Sequence, residues 1–549
     1  MTLALFPSAH VDNFARDHLP PVDQWPVMHV NGVYNAPARL NAAVELLDAA
    51  LTEGHGDRVA LVTPAADGVF QETTYAELAQ LVDALAHVLV HDMGLVSGNR
   101  VLLRGFNGRW MTAAWLATIK AGMVAVTTMP MLRATELRVV IDRAQCRAAL
   151  CDARLLDDLT MALADATCIE ALRVWGSTTP DALDHAIERH AVPFVACDTA
   201  CDDVALIAFT SGTTGVPKGC MHFHRDVMAM CHGFSAQVLG LSADDRCIGT
   251  PPIAFTFGLG ALLCFPLAAR GSVVLLERAS PEVLLETIAQ TRATVSFTAP
   301  SFYRHMALAI ARDPARFSTA SLRASVSAGE ALPDATRTLW RDTTGIEMLD
   351  GIGATELIHI FIAAAGADVR PGAIGKAVPG YEVAILDDEL RPVPAGVVGR
   401  LAVRGPTGCR YLADHRQTSY VQGGWNLTGD ACVMDDDGYV SFKARTDDLI
   451  ISSGYNIGAP EVEAALLQHT SVLECAVVGI PDIERGQAIK AFVVLHPDVA
   501  PHASLVGLLQ DHVKATIAPY KYPRHIEFVA SLPKTDTGKL QRFRLKETS

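Results

Sequence analysis

The sequence has none of the cysteine patterns that bind zinc. Its twelve cysteines are scattered along the chain, without a CxxC pair and without a Cys/His cluster at metal-ligand spacing. Scattered cysteines of this kind are typical of proteins kept in a reducing cytosol. We therefore expect a cytoplasmic protein without a structural metal.

Positive charge is also scarce. The 45 lysines and arginines are outnumbered by 60 aspartates and glutamates, which gives a formal net charge of -15. This excess of negative charge argues against a nucleic-acid partner held by bulk charge and against an anionic membrane surface. A small anionic substrate stays possible, because a local lysine, arginine or helix N-terminus can hold one.

Signals for export or membrane insertion are missing too. The first residues, MTLALFPSAHVDNF, have no basic region and only a short apolar run. Residues 250–269, TPPIAFTFGLGALLCFPLAA, contain no charge and have the length of a membrane span. However, three prolines and two glycines interrupt this segment. We expect a buried loop and a short helix there, and no membrane association.

Length and periodicity indicate an α/β protein of more than one domain. The 549 residues exceed what one hydrophobic core usually serves. Residues 75–93 have the apolar spacing of a helix, and RVLLRGF, WMTAAWLATIKAGM and VAVTTMP follow as strand, helix and strand. Strands that alternate with helices predict a parallel sheet built from βαβ units.

The pattern changes toward the C-terminus. Residues 381–405 contain short strands joined by turns, which favours antiparallel or barrel-like structure. After about residue 446 a smaller unit follows, in which APEVEAALLQH and LVGLLQDHVKATI are predicted helices and VLECAVVGI and AIKAFVVL are predicted strands. We therefore divide the chain into an N-terminal domain, 1–446, and a C-terminal domain, 447–549.

The stretch FTSGTTGVPKG, residues 209–219, predicts a phosphate-binding loop. An apolar run precedes it, and we expect strand, loop and then helix, an order that directs backbone N–H groups at a phosphate. Its glycines let the chain turn, its hydroxyls can donate hydrogen bonds, and Lys218 adds a charge. The spacing does not match G-x-x-x-x-G-K-[ST], so a different phosphate cradle is implied. The alternative is a mobile surface loop.

At this point the sequence resembles a known family. TSGTTGVPKG is similar to the phosphate loop of the adenylate-forming superfamily, which includes acyl- and aryl-CoA synthetases, luciferases and the adenylation domains of peptide synthetases. Further similar motifs follow in order: SAGEALP (327–333), DGIGATE (350–356), LTGD (427–430), KARTDDLIISSGYNIGAPEVE (443–463) and PKTDTGKLQR (533–542). The resemblance implies two α/β subdomains and a small barrel-like part in the N-terminal domain, followed by a small, mobile α+β domain.

The resemblance also implies a nucleotide site and a catalytic set. Attack of a carboxylate on the α-phosphorus of ATP brings two anions together, so cations are needed where charge builds up. By resemblance, Lys539 bridges carboxylate and phosphate, Thr355 contacts the α-phosphate, Glu356 is the Mg²⁺ ligand, and Lys218 completes the catalytic set. The implied ATP-binding residues are Thr210, Ser211, Gly212, Thr213, Thr214, Gly215, Gly329, Glu330, Asp350, Gly351, Asp430 and Arg445.

The same resemblance extends to the second substrate and to domain motion. Asp447 is the implied hinge residue, about which the small domain rotates between the half-reactions. Gly454 and Tyr455 are the implied contacts for the pantetheine arm of coenzyme A. No protein nucleophile is needed, because the acyl-adenylate is itself the activated species. For the assembly, a homodimer is left open.

Three segments point to an aromatic acid. GIGATELIHIF, RLNAAVELLD and PGAIGKAVPGYEV resemble benzoate-CoA ligases and related aryl-CoA ligases. The implied pocket residues are Phe255, Phe257, Ala328, Gly353 and His359, although His359 could equally be a core histidine. In contrast, Ile451 stands where benzoate ligases carry lysine, and SSGYNIGAP resembles 2-aminobenzoate-CoA ligases and medium-chain acyl-CoA synthetases.

The sequence thus predicts an AMP-forming aryl-CoA ligase that uses ATP, Mg²⁺ and coenzyme A. The best candidate substrate is 2-aminobenzoate or another substituted benzoate. A medium-chain fatty acid is the first alternative, and the loading of a separate carrier protein is the second. A binding protein without activity would be expected to have lost catalytic positions, yet all of those named above are present.

Overall fold

The computed structural model describes residues 5–29, 32–65, 68–164, 168–210, 217–445, 450–452, 455–482, 486–517, 519–534 and 540–547. These residues form four β-sheets with helices packed around them. The predicted α/β fold, with a large N-terminal part and a smaller C-terminal part, is confirmed.

The first sheet has six strands and is covered on both faces. The strand Arg100–Arg104 is buried along its whole length, as expected for the interior of a parallel sheet. Five strands are parallel and the sixth, Lys218–Phe223, is antiparallel at the edge. The order across this sheet is Ala171–Trp175, Ala148–Asp152, Arg100–Arg104, Val124–Thr128, Val204–Thr210 and Lys218–Phe223.

The second sheet has nine strands, with a parallel centre and antiparallel edges. Its central strands are also buried, and Phe297 and Val326 lie in the main core. The order is Lys376–Ala377, Ile360–Ala363, Met348–Gly353, Ala324–Ala328, Val295–Thr298, Arg246–Gly249, Ser272–Val274, Val59–Pro64 and Phe70–Thr74.

The third sheet is antiparallel and accounts for the predicted barrel-like part. Side chains alternate between its faces: Leu401 and Val403 pack in one apolar cluster, and Ala402 packs in another. Its strands are Glu382–Leu386, Gly399–Arg404, Val421–Gln422, Trp425–Met434 and Val440–Arg445.

The fourth sheet lies in the C-terminal part and has a core of its own. Helices Ala459–Leu466 and Ala503–Thr516 pack on it through Val462, Leu509 and Val513. Its strands are Ile450–Ser452, Tyr455–Ile457, Val472–Asp482, Gly486–Leu495 and His525–Phe528. The domain boundary at 446/447 lies outside the described residues and stays a prediction.

Helices of the N-terminal part begin at recognisable signals. Tyr75–His87 starts with a capping box, in which Thr74 accepts from the Glu77 backbone and Glu77 accepts from the Thr74 backbone. The longer α-helices are Tyr75–His87, Arg109–Lys120, Ala134–Ala144, Leu156–Leu163, His224–Met230, Pro281–Thr291, Pro300–Arg312 and Asp334–Thr344, and two of them continue as the π-helical segments Val88–Asp92 and Cys231–Leu239.

The uncharged segment 250–269 is a loop followed by consecutive short helices, as predicted. Thr256–Leu259, Gly260–Cys264 and Phe265–Ala268 follow one another without a break and lie largely in the core. None of the helices in the described part of the chain combines the length and apolar character that a membrane span needs.

Candidate active site

The strands on either side of the phosphate-loop stretch pair with each other as the antiparallel arms of a hairpin, so the helix expected directly after the loop was a wrong prediction. Thr210 ends one strand and pairs with Lys218, which begins the next. Residues 218–223 are a strand because successive side chains enter different cores: Cys220 packs in one cluster, and Met221 and Phe223 pack in another. The helix begins only at His224. Five predicted loop residues lie outside the described residues: Ser211, Gly212, Thr213, Thr214 and Gly215.

Lys218, Glu356 and Tyr411 form a compact polar cluster. The Lys218 ammonium donates to the Tyr411 hydroxyl at 2.7 Å, and its Nζ lies 3.6 Å from Glu356 Oε1. The Tyr411 hydroxyl in turn donates to Glu356 Oε1. Burial and the charge of Glu356 raise the pKa of Tyr411 far above its usual range, so the phenol stays protonated and can donate.

Tyr411 and Tyr420 were not predicted from the sequence. Lys218 Nζ lies 4.6 Å from the centroid of the Tyr411 ring and 5.8 Å from that of Tyr420, which makes an aromatic wall around the ammonium. Tyr411 reaches the hairpin through a single bridge with Cys220. No local motif marks such a long-range bridge, so sequence reasoning had no signal for either tyrosine.

The DGIGATE motif spans the end of a strand and a short turn. Asp350 and Gly351 lie in the strand Met348–Gly353, and Thr355 opens the 3₁₀-helix Thr355–Leu357, which also contains Glu356. The Gly351 N–H donates to Asp350 Oδ1 at 3.1 Å. Burial raises the pKa of Asp350 to about 7, so this carboxyl group titrates near neutral pH.

The predicted ribose residues are joined by an ion pair. Asp430 and Arg445 face each other on adjacent antiparallel strands, and Arg445 Nη1 donates to Asp430 Oδ1 at 2.8 Å and to the Thr428 carbonyl at 3.1 Å. Gly429 has φ +77°, and a Cβ there would lie 2.9 Å from Arg445 Nη2. Glycine at 429 therefore lets the guanidinium lie over this part of the strand Trp425–Met434.

The SAGEALP motif forms the end of a neighbouring strand. Ala328 is the last residue of Ala324–Ala328 and is buried, whereas Gly329 is exposed and turns the chain with φ +90°. Glu330 Oε2 accepts from the Ser301 backbone N–H at 3.4 Å. The carboxyl end of this strand therefore lies beside the carboxyl end of the strand that carries Asp350.

His359 lies in an aromatic cluster. Its ring centroid is 4.5 Å from that of Phe265, 5.6 Å from Phe234 and 5.7 Å from Phe257, and its Nε2 is 3.3 Å from the Phe257 carbonyl oxygen. Burial lowers the pKa of His359 to about 3, so the ring is neutral at pH 7. If Nε2 carries the proton, Nδ1 is an acceptor, and it is buried with no hydrogen-bond partner in the described part of the chain.

Of the remaining predicted pocket residues, Gly353 pairs with Ile360, next to His359, and Ala328 lies in the same hydrophobic core as Phe265. Phe255 is half-buried and precedes the helix Thr256–Leu259. A Cβ on Gly353 would lie 2.8 Å from the His359 carbonyl oxygen, and a Cβ on Gly260 would lie 2.4 Å from His359 Cδ2. Glycine at 260 therefore lets the helix backbone approach the imidazole closely, and glycine at 353 lets the strand approach the His359 backbone.

The roles of the predicted catalytic lysine, the hinge residue and the pantetheine contacts stay predictions. Lys539, Asp447 and Gly454 lie outside the described residues. Tyr455 begins the strand Tyr455–Ile457. Two surface cavities, of about 790 and 610 Å³, are lined by other residues and contain none of the predicted site residues.

The residues present fit a Mg²⁺ ion that is bound together with ATP. Within the described ranges, no group of three or more His, Cys, Asp or Glu side chains could hold a metal ion. Glu356 nevertheless provides a buried carboxylate beside Lys218. Mg²⁺ commonly uses one or two carboxylates and completes its shell with substrate phosphates and water, so Glu356 suits it.

Comparisons with known proteins agree with this architecture. Residues 48–411 match the model of the AMP-binding enzyme family, and residues 461–539 match that of the AMP-binding enzyme C-terminal domain. Benzoate–CoA ligase of Thauera aromatica is 35% identical over 93% of this chain and 96% of its own length. Acyl-coenzyme A synthetase ACSM3 of Mus musculus is 32% identical over 97% of this chain and 90% of its own length.

A solved structure is similar over nearly the whole chain. The anthranilate CoA ligase AuaEII, crystallised in complex with anthranoyl-AMP, superposes with a TM-score of 0.88 at 33% identity, covering 94% of this chain and 98% of that one. The resemblance found in the sequence is thereby confirmed. The chain belongs to the AMP-binding enzyme family, the adenylate-forming enzymes whose acid–CoA ligases it resembles.

Proposed function

We propose that the protein is an ATP-dependent acid–CoA ligase for a small aromatic carboxylate, with 2-aminobenzoate or another substituted benzoate as its preferred substrate. The acid is first converted to an acyl-adenylate, and coenzyme A then takes the acyl group as a thioester. AMP and pyrophosphate are released. The observation that carries the proposal is the cluster of Lys218, Glu356 and Tyr411 beside the phosphate hairpin.

Adenylation needs positive charge around the α-phosphate. Lys218 supplies a cation next to the hairpin loop, and Lys539 is proposed to bridge the carboxylate and the phosphate. The Thr355 hydroxyl is proposed to contact the α-phosphate, and Glu356 to hold Mg²⁺. The ion, when bound, offsets phosphate charge as the pyrophosphate leaves. Tyr411 keeps the Glu356 carboxylate turned toward Lys218.

The nucleoside is proposed to bind between residues of the nine-stranded sheet and residues of the antiparallel third sheet. Asp430 has two acceptor oxygens for the ribose hydroxyls, and Arg445 orients it through the 2.8 Å hydrogen bond. The loop hydroxyls and glycines of residues 210–215 are proposed to hold the phosphates. The turn at Gly329 and Glu330, together with Asp350 and Gly351, is proposed to border the adenine.

Thioester formation uses the acyl-adenylate, which is a mixed anhydride of the acid and AMP. The thiolate of coenzyme A attacks the acyl carbonyl carbon, the bond from this carbon to the phosphate oxygen breaks, and AMP leaves with the electron pair. Gly454 and Tyr455 are proposed to line the path of the pantetheine arm. Domain 447–549 is proposed to rotate about Asp447 between the two half-reactions. This rotation removes the Lys539 loop from the site and brings in the residues that line the pantetheine path.

The neighbourhood of His359 supports an aromatic substrate. Phe234, Phe257 and Phe265 surround the imidazole, and flat rings pack favourably against such clusters. A buried Nδ1 without a partner, on a neutral ring, can accept a hydrogen bond from an amino group at the 2-position of benzoate. Similarity to an anthranilate CoA ligase agrees with this preference. Phe255, Ala328 and Gly353 are proposed to complete the pocket.

We also propose a cellular location, an assembly and a second candidate substrate. All twelve cysteines are free thiols, which supports a reducing, cytoplasmic location. A homodimer stays our working assembly. The similarity to ACSM3 supports a medium-chain fatty acid as the second candidate substrate.

The decisive experiment is AMP release with ATP and coenzyme A across benzoate, 2-aminobenzoate, 4-hydroxybenzoate, hexanoate and octanoate. We expect the highest kcat/KM with 2-aminobenzoate or another benzoate. Higher efficiency with the straight-chain acids would replace the aromatic proposal by the medium-chain one. If turnover occurs only after a carrier protein is added, coenzyme A is not the acyl acceptor.

Variants of the proposed catalytic lysine and of the thiol path separate the two half-reactions. Lys539→Ala should cripple adenylation but spare thioester formation from supplied acyl-adenylate, because the bridging charge is needed only in the first step. Gly454→Leu should slow thioester formation more than adenylation by crowding the pantetheine arm. Equal losses in both half-reactions would refute these roles.

A further inference from the structure

A buried polar chain connects the phosphate hairpin to the carbonyl of Thr355. His222 Nε2 lies 2.7 Å from the Thr355 carbonyl oxygen, and its Nδ1 lies 3.7 Å from Asp226 Oδ2. That carboxylate oxygen accepts from Arg410 Nη1 at 2.7 Å. The side chains of His222, Asp226 and Arg410 are fully buried. Because a carbonyl oxygen only accepts, His222 must donate from Nε2.

The hairpin strand places His222 on the same face as Lys218. Residues four apart in a strand point to the same side. The side chains of Lys218 and His222, both in the strand Lys218–Phe223, therefore approach the turn that contains Thr355 and Glu356. Lys218 Nζ lies 3.6 Å from Glu356 Oε1, and His222 holds the preceding carbonyl. One strand therefore contacts two consecutive residues of the turn.

The turn itself has a strained backbone. Ile358, which ends the 3₁₀-helix, has φ +66° and ψ -35°, a region that β-branched residues rarely occupy. Besides His222, the Ile358 N–H donates to the Thr355 carbonyl at 3.1 Å. Thr407 Oγ1 donates to the Leu357 carbonyl at 2.8 Å. Strained conformations persist where the surroundings over-determine them, and they concentrate at functional sites.

The charges around His222 favour its role as a donor. Burial alone lowers the pKa of His222, but the neighbouring Cys220 and Asp226 outweigh it and raise the pKa to about 9. Burial opposes ionisation of Asp226 as well, yet Arg410 and His222 hold the pKa of this carboxyl far below its usual range. The donor role of Nε2 itself follows from the 2.7 Å contact with the Thr355 carbonyl oxygen, and the neighbouring negative charge agrees with it.

We propose that His222 is a positioning residue for adenylation, whose hydrogen bond to the Thr355 carbonyl fixes the Thr355–Glu356 turn relative to Lys218. The inference rests on the proposed function, because Thr355 and Glu356 are the groups proposed to meet the α-phosphate and Mg²⁺. His222 acts through the turn and does not touch ATP. Asp226 and Arg410 hold the imidazole in place, and Thr407 secures the other side of the turn.

The test compares two replacements of similar size. His222→Gln keeps an N–H donor for the Thr355 carbonyl, whereas His222→Met fills the space without one. In the full-length protein we expect His222→Met to lower kcat of acid-dependent ATP–pyrophosphate exchange by about a hundredfold, as for other misplaced catalytic groups. It should also raise the Kd for Mg²⁺·ATP by about tenfold or more. His222→Gln should stay within about fivefold of the wild type in both measurements.

The matched control is His224→Met. His224 is equally buried, but its Nδ1 accepts from the Ala42 N–H, away from Thr355. We expect this variant to lower the thermal midpoint about as much as His222→Met does. Its kcat should stay within about twofold of the wild-type value. If the His222 variants do not fold, Thr407→Val tests whether fixing the turn supports adenylation. This variant removes the donor to the Leu357 carbonyl and should lower kcat as His222→Met does.

Three outcomes would overturn the positioning role. His222→Met and His222→Gln could behave alike, His224→Met could lose as much activity as His222→Met, or, where the His222 variants do not fold, Thr407→Val could keep wild-type kcat. Failure of the proposed function gives a different result: the wild type then shows no exchange with any acid. In that case the Kd for Mg²⁺·ATP still separates His222→Met from His222→Gln, and equal Kd values would reject the inference.

Discussion

Lys218 Nζ lies 3.6 Å from Glu356 Oε1, across the junction of two sheets. Lys218 belongs to the edge strand of the six-stranded sheet, and Glu356 follows a strand of the nine-stranded sheet. Neither sheet alone builds the cluster, so its geometry depends on how the two sheets pack. Tyr411, from a third segment, bridges the two side chains through its hydroxyl.

Removing this bridge should weaken ATP activation. In Tyr411→Phe, the Glu356 carboxylate loses a donor and the Lys218 ammonium loses an acceptor. A hydrogen bond to a charged group contributes about 1.5–3 kcal/mol, so we expect kcat/KM for ATP to fall about 10- to 100-fold. Steady-state kinetics with a saturating acid measures this change.

Tyr420→Phe is the matched control. The Tyr420 ring is also near Lys218, but its hydroxyl is buried with no hydrogen-bond partner among the described residues. We expect kcat/KM for ATP to change by less than about threefold in this variant. An equal loss in both variants would mean that removing any buried hydroxyl near Lys218 weakens ATP activation, and that the bridge made by the Tyr411 hydroxyl has no special role.

Sequence reasoning predicted the elements well because their patterns are local. The strands Arg100–Arg104 and Val124–Thr128 contain the apolar runs VLL and VAV, as expected for buried parallel strands, and Tyr75–His87 follows a helical period with a capping box. The hairpin was missed because KGCMHF is short and buried on both faces. Its strand identity depends on pairing with Val204–Thr210, which no local pattern encodes.

Within the site, motif residues could be named but their connections could not. Asp430 and Arg445 were both predicted, yet their ion pair follows from the register of two antiparallel strands. Tyr411 and His222 carry no motif of their own. They were missed because their roles arise from long-range contacts with Glu356 and Thr355.

Asp430→Asn should raise KM for ATP by about tenfold and change kcat less, because the amide offers the ribose one acceptor in place of two. The ion pair with Arg445 is half exposed, so its loss should cost about 1 kcal/mol of stability or less. Initial rates at varied ATP, together with the thermal midpoint, separate these effects.

Glu527→Gln serves as the control for this change. Glu527 Oε2 pairs with Lys490 Nζ at 2.9 Å between neighbouring strands of the C-terminal sheet, without a predicted nucleotide role. KM for ATP should stay unchanged in Glu527→Gln. A similar rise in both variants would indicate a general effect of lost ion pairs and reject the ribose role of Asp430.

Asp350→Asn should stabilise the ligand-free protein in a pH-dependent way. Burial raises the pKa of Asp350 from 3.8 to about 7, so ionisation is disfavoured in the folded state. The free-energy cost of ionising Asp350 in the folded state is absent below the pKa of this group in the unfolded chain. The cost grows as pH rises and is complete above about pH 7. Since each pKa unit corresponds to about 1.4 kcal/mol, the gain at pH 8 should be on the order of 2–4 kcal/mol.

Thermal midpoints of wild type and Asp350→Asn between pH 5 and 8 measure this effect. We expect the two curves to diverge as pH rises, with the variant higher at pH 8. Asp334 also raises the pKa of Asp350 and Arg337 lowers it, and both are unchanged in the variant. Parallel curves would show that Asp350 is already ionised at pH 5.

Gly260→Ala should disturb the aromatic cluster around His359. The added Cβ would lie 2.4 Å from His359 Cδ2 and 2.8 Å from Phe265 Cζ, distances that force a side chain or the helix to move. Overpacking of this kind costs about 1–3 kcal/mol. His359 would also turn away from the Phe257 carbonyl, so kcat/KM for the preferred benzoate should fall by about tenfold, as loss of one hydrogen bond predicts.

The matching glycine substitution on the surface should act in the opposite direction. Gly507 lies exposed within the helix Ala503–Thr516, and a Cβ there would meet nothing within 4 Å. Gly507→Ala should therefore stabilise the protein by about 0.5–1 kcal/mol, because alanine loses less backbone freedom in a helix, and should leave kcat/KM unchanged.

If Gly260→Ala lowered stability but kept full efficiency with benzoates, His359 would be a core residue and the acid would bind elsewhere.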